Sequence, residues 1–192
     1  GIVDIERLTA LIDERTYIVS LQSVNNETGV IQPVPSVATA VSEASRRIGT
    51  RIMFHTDAVQ ALGKLPLPLG SDIHAASFSA HKIGGPRGVG ALWLRSGTPI
   101  QFMQAGGEQE GGRRAGTENV HGAINFAAAV TTATSTITQL YSSANLIMTR
   151  LIQRIADMPE VLLIPADRAP FDRRFSPFIL KLAIPALPSE VT

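Results

Sequence analysis

Apolar positions at Ile5, Leu8, Leu11 and Ile12 recur with the spacing of one helix face, and Asp4 precedes them as an N-cap, so the chain is expected to open on a short helix. The β-rich run Tyr17 to Leu21 follows as a buried strand. A polar turn, Val24 to Gly29, leads to Pro33 and Pro35, which precede a helical stretch from Ser36 to Ile48 closed by Gly49 as a C-cap. Arg51 to His55 reads as the next strand. His74 to Phe78 and Gly90 to Leu94 are short apolar runs bounded by Gly and Pro, the pattern of central strands in a largely parallel sheet. This alternation predicts an α/β fold, a mainly parallel central sheet flanked by helices.

The stretch Gly106 to Gly116 carries Gly and charge without periodicity and is expected to be an exposed, specifically shaped loop. Thr117 is then placed as the cap of a long helix running to Met158, with a break expected where Thr and Ser crowd residues 131–136. Its apolar stripe is expected to face the protein's own core. Beyond Pro159, strands at Val161 to Ile164 and Pro177 to Ile184 flank a Pro- and Arg-rich link, read as a solvated connection into a second, α+β unit. The expected division falls between residues 1–158 and 159–192.

Composition narrows the function classes. Seventeen Lys and Arg against sixteen Asp and Glu leave a formal charge of +1, so no field draws the chain to nucleic acid or to an anionic membrane. No apolar run is long enough to span a bilayer, and the first residues lack the basic start of a signal peptide, which makes a cytoplasmic protein the expectation. With no cysteine the chain forms no disulfide and offers no thiol nucleophile. Its four histidines, His55, His74, His81 and His121, have no metal-ligand spacing, and no metal is expected.

Chemistry concentrates at strand ends. In SFSAHKIGGPRGVG a buried-looking strand ends and Ser79, His81 and Lys82 emerge into a Gly-rich turn. Desolvation there would lower the lysine pKa and free its amine to attack an aldehyde, forming a Schiff base. Ser79 and His81, alternate residues, reach one side together and suit a phosphate. Taken alone, the stretch reads equally well as a surface lysine in a loop beside a core serine. It is no P-loop, because the lysine precedes the glycines, and no dinucleotide fingerprint, because it leads into a strand. In FHTDAVQ, Asp57 stands at the C-terminal edge of its strand, where open α/β sheets bind ligands. A carboxylate there suits the pyridinium nitrogen of pyridoxal phosphate, and Gln60 suits its phenolate oxygen. The alternative is an ordinary turn aspartate beside a half-buried strand histidine. In VNNETG, Asn25 and Asn26 are amide donors at the same edge, or else plain turn formers.

The segments VNNETG, HTDAVQALGK, SFSAHKIGGPRGVGALWL and GGEQEGGRRAGTENV, in this order, resemble cysteine desulfurases of the aminotransferase class V group, over Gly1 to about Ala156. The resemblance implies the large domain of a pyridoxal-phosphate-dependent transferase of fold type I, incomplete at its N-terminus, over 1–158, and the beginning of a small C-terminal domain over 159–192. It implies Lys82 as the residue holding pyridoxal 5'-phosphate, Asp57 on the pyridine nitrogen, Gln60 and Asn26 at the ring, and Ser79 with His81 on the phosphate. His81 is also implied in proton transfer. Thr117 is implied to reach across a homodimer interface to the partner's cofactor. Where the family carries an Arg after the loop glutamate this chain has Gly111, and whether Arg113 or Arg114 replaces it stays open.

The activity so implied removes sulfur from L-cysteine, giving L-alanine and an enzyme persulfide for iron-sulfur cluster assembly or another sulfur-transfer pathway, with a sulfur-acceptor protein as partner. The thiol it requires is no residue of this chain. A selenocysteine lyase, or another class V lyase or aminotransferase, shares the cofactor residues. A non-catalytic scaffold that dimerises through residues 106–117 is the alternative from another class.

Overall fold

The computed structural model describes residues 1–67, 69–70, 72–99, 101 and 106–187. Helix α1 (Ile5–Ala10) begins where the Asp4 carboxylate accepts the Arg7 N–H at 3.0 Å, so the expected cap is in place. After β1 (Ile18–Gln22) comes α2 (Val34–Ile48), which starts earlier than expected because Pro35 sits in the first helical turn, where a missing N–H costs nothing. Gly49 ends α2 at φ 75°. Val37, Ala38, Val41 and Ala44 of α2 pack with Ile12, Ile52, Phe54 and Ile73 into the main core on one face of the sheet.

The sheet runs β1, β2 (Met53–Asp57), β3 (Ala75–Ser79), β4 (Gly90–Leu94). The first three are parallel, while β4 is antiparallel to β3 and partly exposed, where the pattern of apolar runs predicted a central strand. The reason is length: residues 80–89 hold one 3₁₀ turn (Ala80–Ile83) and fall short of the dozen or so residues a parallel crossover requires. Between β2 and β3 the chain crosses over through a helical turn in which Leu62 and Leu65 donate to the Ala58 and Ala61 carbonyls.

Residues 109–112 form a distorted turn, α3 (Gln109–Gly112), with left-handed Glu110 and Gly111. The long helix is capped by Asn119, whose side chain accepts the Gly122 N–H at 2.9 Å, and not by Thr117. It breaks at Thr136 into α4 (Val120–Ser135) and α5 (Ile137–Ile155), as the Thr and Ser content predicted. Hydroxyls of Thr131, Thr134, Ser135 and Thr136 donate back to carbonyls of the preceding turn, the local competition that bends helices. The expectation that the whole stripe faces the core fails. Ile155 of that stripe is buried, but Leu140 and Leu151 are exposed, and α4 packs mainly against the 3₁₀ turn.

A separate two-stranded antiparallel sheet, β5 (Leu162–Ile164) with β6 (Lys181–Ala183), follows; it is shorter than the pattern suggested, and residues 188–192 of the expected second unit lie outside the described residues. The link between these strands is not simply solvated. Arg168 is only 5% exposed and lies over the Phe175 ring at 4.8 Å. Among the described residues no helix is long and apolar enough to cross a membrane.

Candidate active site

Register brings the chemistry together. Gln22 at the end of β1 pairs with Asp57 at the end of β2, and Asp57 pairs with Ser77 near the end of β3, so the three parallel strands finish level. The segments after them therefore leave from one edge of the sheet, carrying Asn26, then Gln60, then Ser79, His81 and Lys82. Hydrogen bonds hold this edge: Ser23 N–H donates to the Asp57 carbonyl at 2.7 Å, Ala58 N–H to the Ser77 carbonyl at 3.0 Å, and the Ser23 and Thr56 hydroxyls meet at 2.8 Å.

Asp57 is exposed, and one carboxylate oxygen accepts the Val59 N–H at 3.0 Å, while the other has no partner among the described residues. This is the geometry of the turn-residue alternative. Two residues back on that strand face, His55 bridges three strands, its Nδ1 2.7 Å from the Ser20 hydroxyl and its Nε2 2.8 Å from the Ser77 hydroxyl. Burial pushes the His55 pKa down, and the Asp57 carboxylate opposes that shift. Ser79 Oγ and His81 Nδ1 are 2.8 Å apart, so the two alternate residues reach one side as the spacing predicted and form a pair of their own.

Lys82 sits in the 3₁₀ turn, held from beneath by the fully buried Ala80. Lys82 is exposed, where the spacing predicted a buried-looking position. Burial falls instead on Lys64. Its ammonium is pushed down first by burial and then by the charge of Lys82, and it donates to Gln60 Oε1 at 3.1 Å. That bond orients the Gln60 amide, since an ammonium only donates and must face the oxygen, and the NH₂ group has no partner among the described residues. The sequence reading missed Lys64, although its four-residue spacing from Gln60 on a helical turn was the available signal.

The two asparagines separate. Asn25 is the turn former, its Oδ1 accepting from Glu27 N–H at 3.0 Å, Thr28 N–H at 2.8 Å and the Thr28 hydroxyl at 3.0 Å. Asn26 beside it is exposed and makes no side-chain hydrogen bond among the described residues. Thr117 lies apart, exposed ahead of α4, with its carbonyl accepting from Arg114 at 3.2 Å. Arg113 likewise serves its own loop, donating to the Glu110 carbonyl at 3.3 Å. An apolar cavity of about 250 Å³ lined by Val24, Ile31, Thr56, Leu65, Leu67 and Ile73 lies next to this edge, but it offers no charged group for a phosphate and does not include Lys82.

The family model described as "Aminotransferase class-V" matches residues 1–183. The chain belongs to the aminotransferase class V family. The match runs past Ala156, where the motif resemblance stopped, and takes in both strands of the second sheet. A cysteine desulfurase of Cereibacter sphaeroides is 44% identical over 174 residues, 88% of this chain and 43% of that protein. The cysteine desulfurase NifS of Azotobacter vinelandii is 44% identical over 130 residues, 67% of this chain and 31% of that one. Among solved structures, a NifS-like protein aligns over all of this chain and 50% of its own with a TM-score of 0.88 and 34% identity. DndA from Streptomyces lividans aligns over 99% of this chain and 52% of its own, with a TM-score of 0.83 and 32% identity. The chain thus spans between about a third and a half of the length of these relatives. The family is dependent on pyridoxal phosphate.

Proposed function

We propose that this chain forms the cofactor edge of a pyridoxal-phosphate-dependent cysteine desulfurase. What supports this most is the level finish of β1, β2 and β3, because it gathers Asn26, Asp57, Gln60, Ser79, His81 and Lys82 from three separate segments at one edge. The donor set fits the cofactor's chemistry: an exposed primary amine for its aldehyde, a fixed carboxylate oxygen for its ring nitrogen, an oriented amide for its phenolate oxygen, and a Ser–His pair for its phosphate. Gly85 adds backbone closeness, since a Cβ there would lie 2.9 Å from the Ala80 carbonyl oxygen, keeping the turn tight around Lys82.

When bound, pyridoxal phosphate supplies an electron sink for bonds broken at the substrate α-carbon. Asp57 would hold the proton on the ring nitrogen. The Lys82 amine would take the α-proton of the amino acid, with His81, paired to the Ser79 hydroxyl, beside it for proton transfer. A thiol from outside this chain attacks the substrate sulfur: the C–S bond breaks, an S–S bond forms, and the thiol hydrogen ends on the methyl group of alanine. Thr117, exposed ahead of α4, is the group offered across a two-fold interface to a second copy.

The test uses the full-length enzyme. Visible absorbance of the bound cofactor, and alanine release from L-cysteine, are expected in the wild type and lost in Lys82→Ala; a variant with an unchanged spectrum would remove Lys82 from this role.

A further inference from the structure

Asn26 is carried on a tight hairpin, residues 24–31, whose backbone bonds are only partly its own. Asn25 N–H donates to the Val30 carbonyl at 2.9 Å and Gly29 N–H to the Asn25 carbonyl at 3.0 Å, closing the turn from inside. From outside it is met by residues about 140 positions further along. Ser176 N–H donates to the Gly29 carbonyl at 2.7 Å and Ile31 N–H to the Arg174 carbonyl at 2.8 Å. The approach is close enough that a Cβ on Gly29, itself at φ +77°, would meet the Ile179 carbonyl oxygen at 3.0 Å.

At the centre of this junction is Arg168. Its Nη1 donates to the Thr28 carbonyl at 3.3 Å and to the Ile179 carbonyl at 2.6 Å, and its Nη2 donates to the Ser176 carbonyl at 3.0 Å. A buried guanidinium is costly unless its donors are satisfied, and here its hydrogen bonds go to backbone carbonyls rather than to a carboxylate. Its rigid fork therefore sets the spacing between the hairpin and residues 176–179. Lys181 adds an ion pair to Glu27, next to Asn26.

We propose that Arg168 is a positioning residue for the cofactor site: it holds the 24–31 hairpin, and with it Asn26, against the segment that carries β6, so that docking of this second unit sets the geometry of the pocket. The inference rests on the reading of Asn26 as a cofactor contact.

The experiment compares full-length wild type, Arg168→Met, Arg168→Lys, Asn26→Ala and the Arg168→Met/Asn26→Ala double variant. Amide hydrogen exchange without cofactor is expected to accelerate at residues 28–31 in Arg168→Met, with α2 and β2 at wild-type rates. Pyridoxal phosphate affinity is expected to fall about tenfold in Arg168→Met, in line with loss of hydrogen bonds from a charged donor. The double variant should bind no worse than the weaker single one. Arg168→Lys, which keeps the charge but not the fork, should lie between and covers the case in which the Met variant does not fold. Unchanged exchange at 28–31, acceleration spread evenly through the core, or additive losses in the double variant would each overturn the proposal. A wild type that binds no pyridoxal phosphate would defeat the cofactor reading instead, while the exchange data still decide whether Arg168 holds the hairpin.

Discussion

Replacing Gly85 by alanine adds one methyl group at the point where the chain turns back beneath Lys82. The added carbon would sit 2.9 Å from both the Ala80 side chain and the Ala80 carbonyl oxygen, against ordinary contacts of 3.4–4 Å, so the atoms must separate by at least about half an ångström. Ala80 is fully buried and has no room to retreat, and its carbonyl accepts the Gly85 N–H at 2.9 Å. The displacement therefore passes into the 3₁₀ turn that carries His81 and Lys82. Overpacking of this kind costs about 1–3 kcal/mol. On the role proposed for Lys82, a shift approaching an ångström at its amine lowers rates by up to about 100-fold. Thermal unfolding and the rate of alanine formation, measured on the full-length enzyme, read the two effects separately. Gly84→Ala is the control: Gly84 has φ +82° but no atom within 4 Å of a built Cβ, so it loses about 1–2 kcal/mol to backbone strain without pressing on Ala80. Gly85→Ala is expected to lose rate well beyond its loss of stability, and Gly84→Ala to lose stability while keeping most of its rate. Wild-type stability and rate in Gly85→Ala, or a parallel loss of rate in both variants, would refute the reasoning.

Lys64→Met removes the donor that orients Gln60 and should weaken cofactor binding about 5- to 10-fold, near the net worth of one hydrogen bond. Gln60→Ala should act through the same contact, so the two losses should not add; full additivity in the double variant would break the link. The protein should also lose stability in mild acid. His55 and His74 are both held below the ordinary histidine value, chiefly by burial, with Arg95 and Arg51 adding to the shift at His74. The unfolded chain therefore binds these protons more readily than the native one. Their contribution is complete above about pH 6.5 and is lost as the pH falls through the lowered native values. Urea midpoints should drop between about pH 7 and 5 in the wild type and change less in a His55→Gln/His74→Gln variant; a flat wild-type profile would count against this account.

Much of this architecture was legible in the chain because the signals are local. Asp4 capping α1, Gly49 closing α2, the break among Thr131 to Thr136, and Asp57 at a strand end all depend on neighbours a few residues away, where spacing and side-chain chemistry act directly. Even the gathering of Asn26, Asp57 and Lys82 at one edge follows from parallel strands, since each must end on the same side. What depends on contacts distant in sequence was not legible. The antiparallel turn of β4 came from a connection too short to cross over. The Arg-rich link read as solvated because nothing near Arg168 in sequence announces the Thr28 carbonyl that it meets. Lys82, expected to be desolvated, proved exposed while Lys64 took the burial, because burial is set by what packs over a side chain and not by the residues beside it. Spacing along the chain was enough to put these polar residues at strand ends on one edge. Which of them are oriented, and by what, came from the tertiary fold, because a side chain's partners are chosen by packing between segments that spacing does not relate.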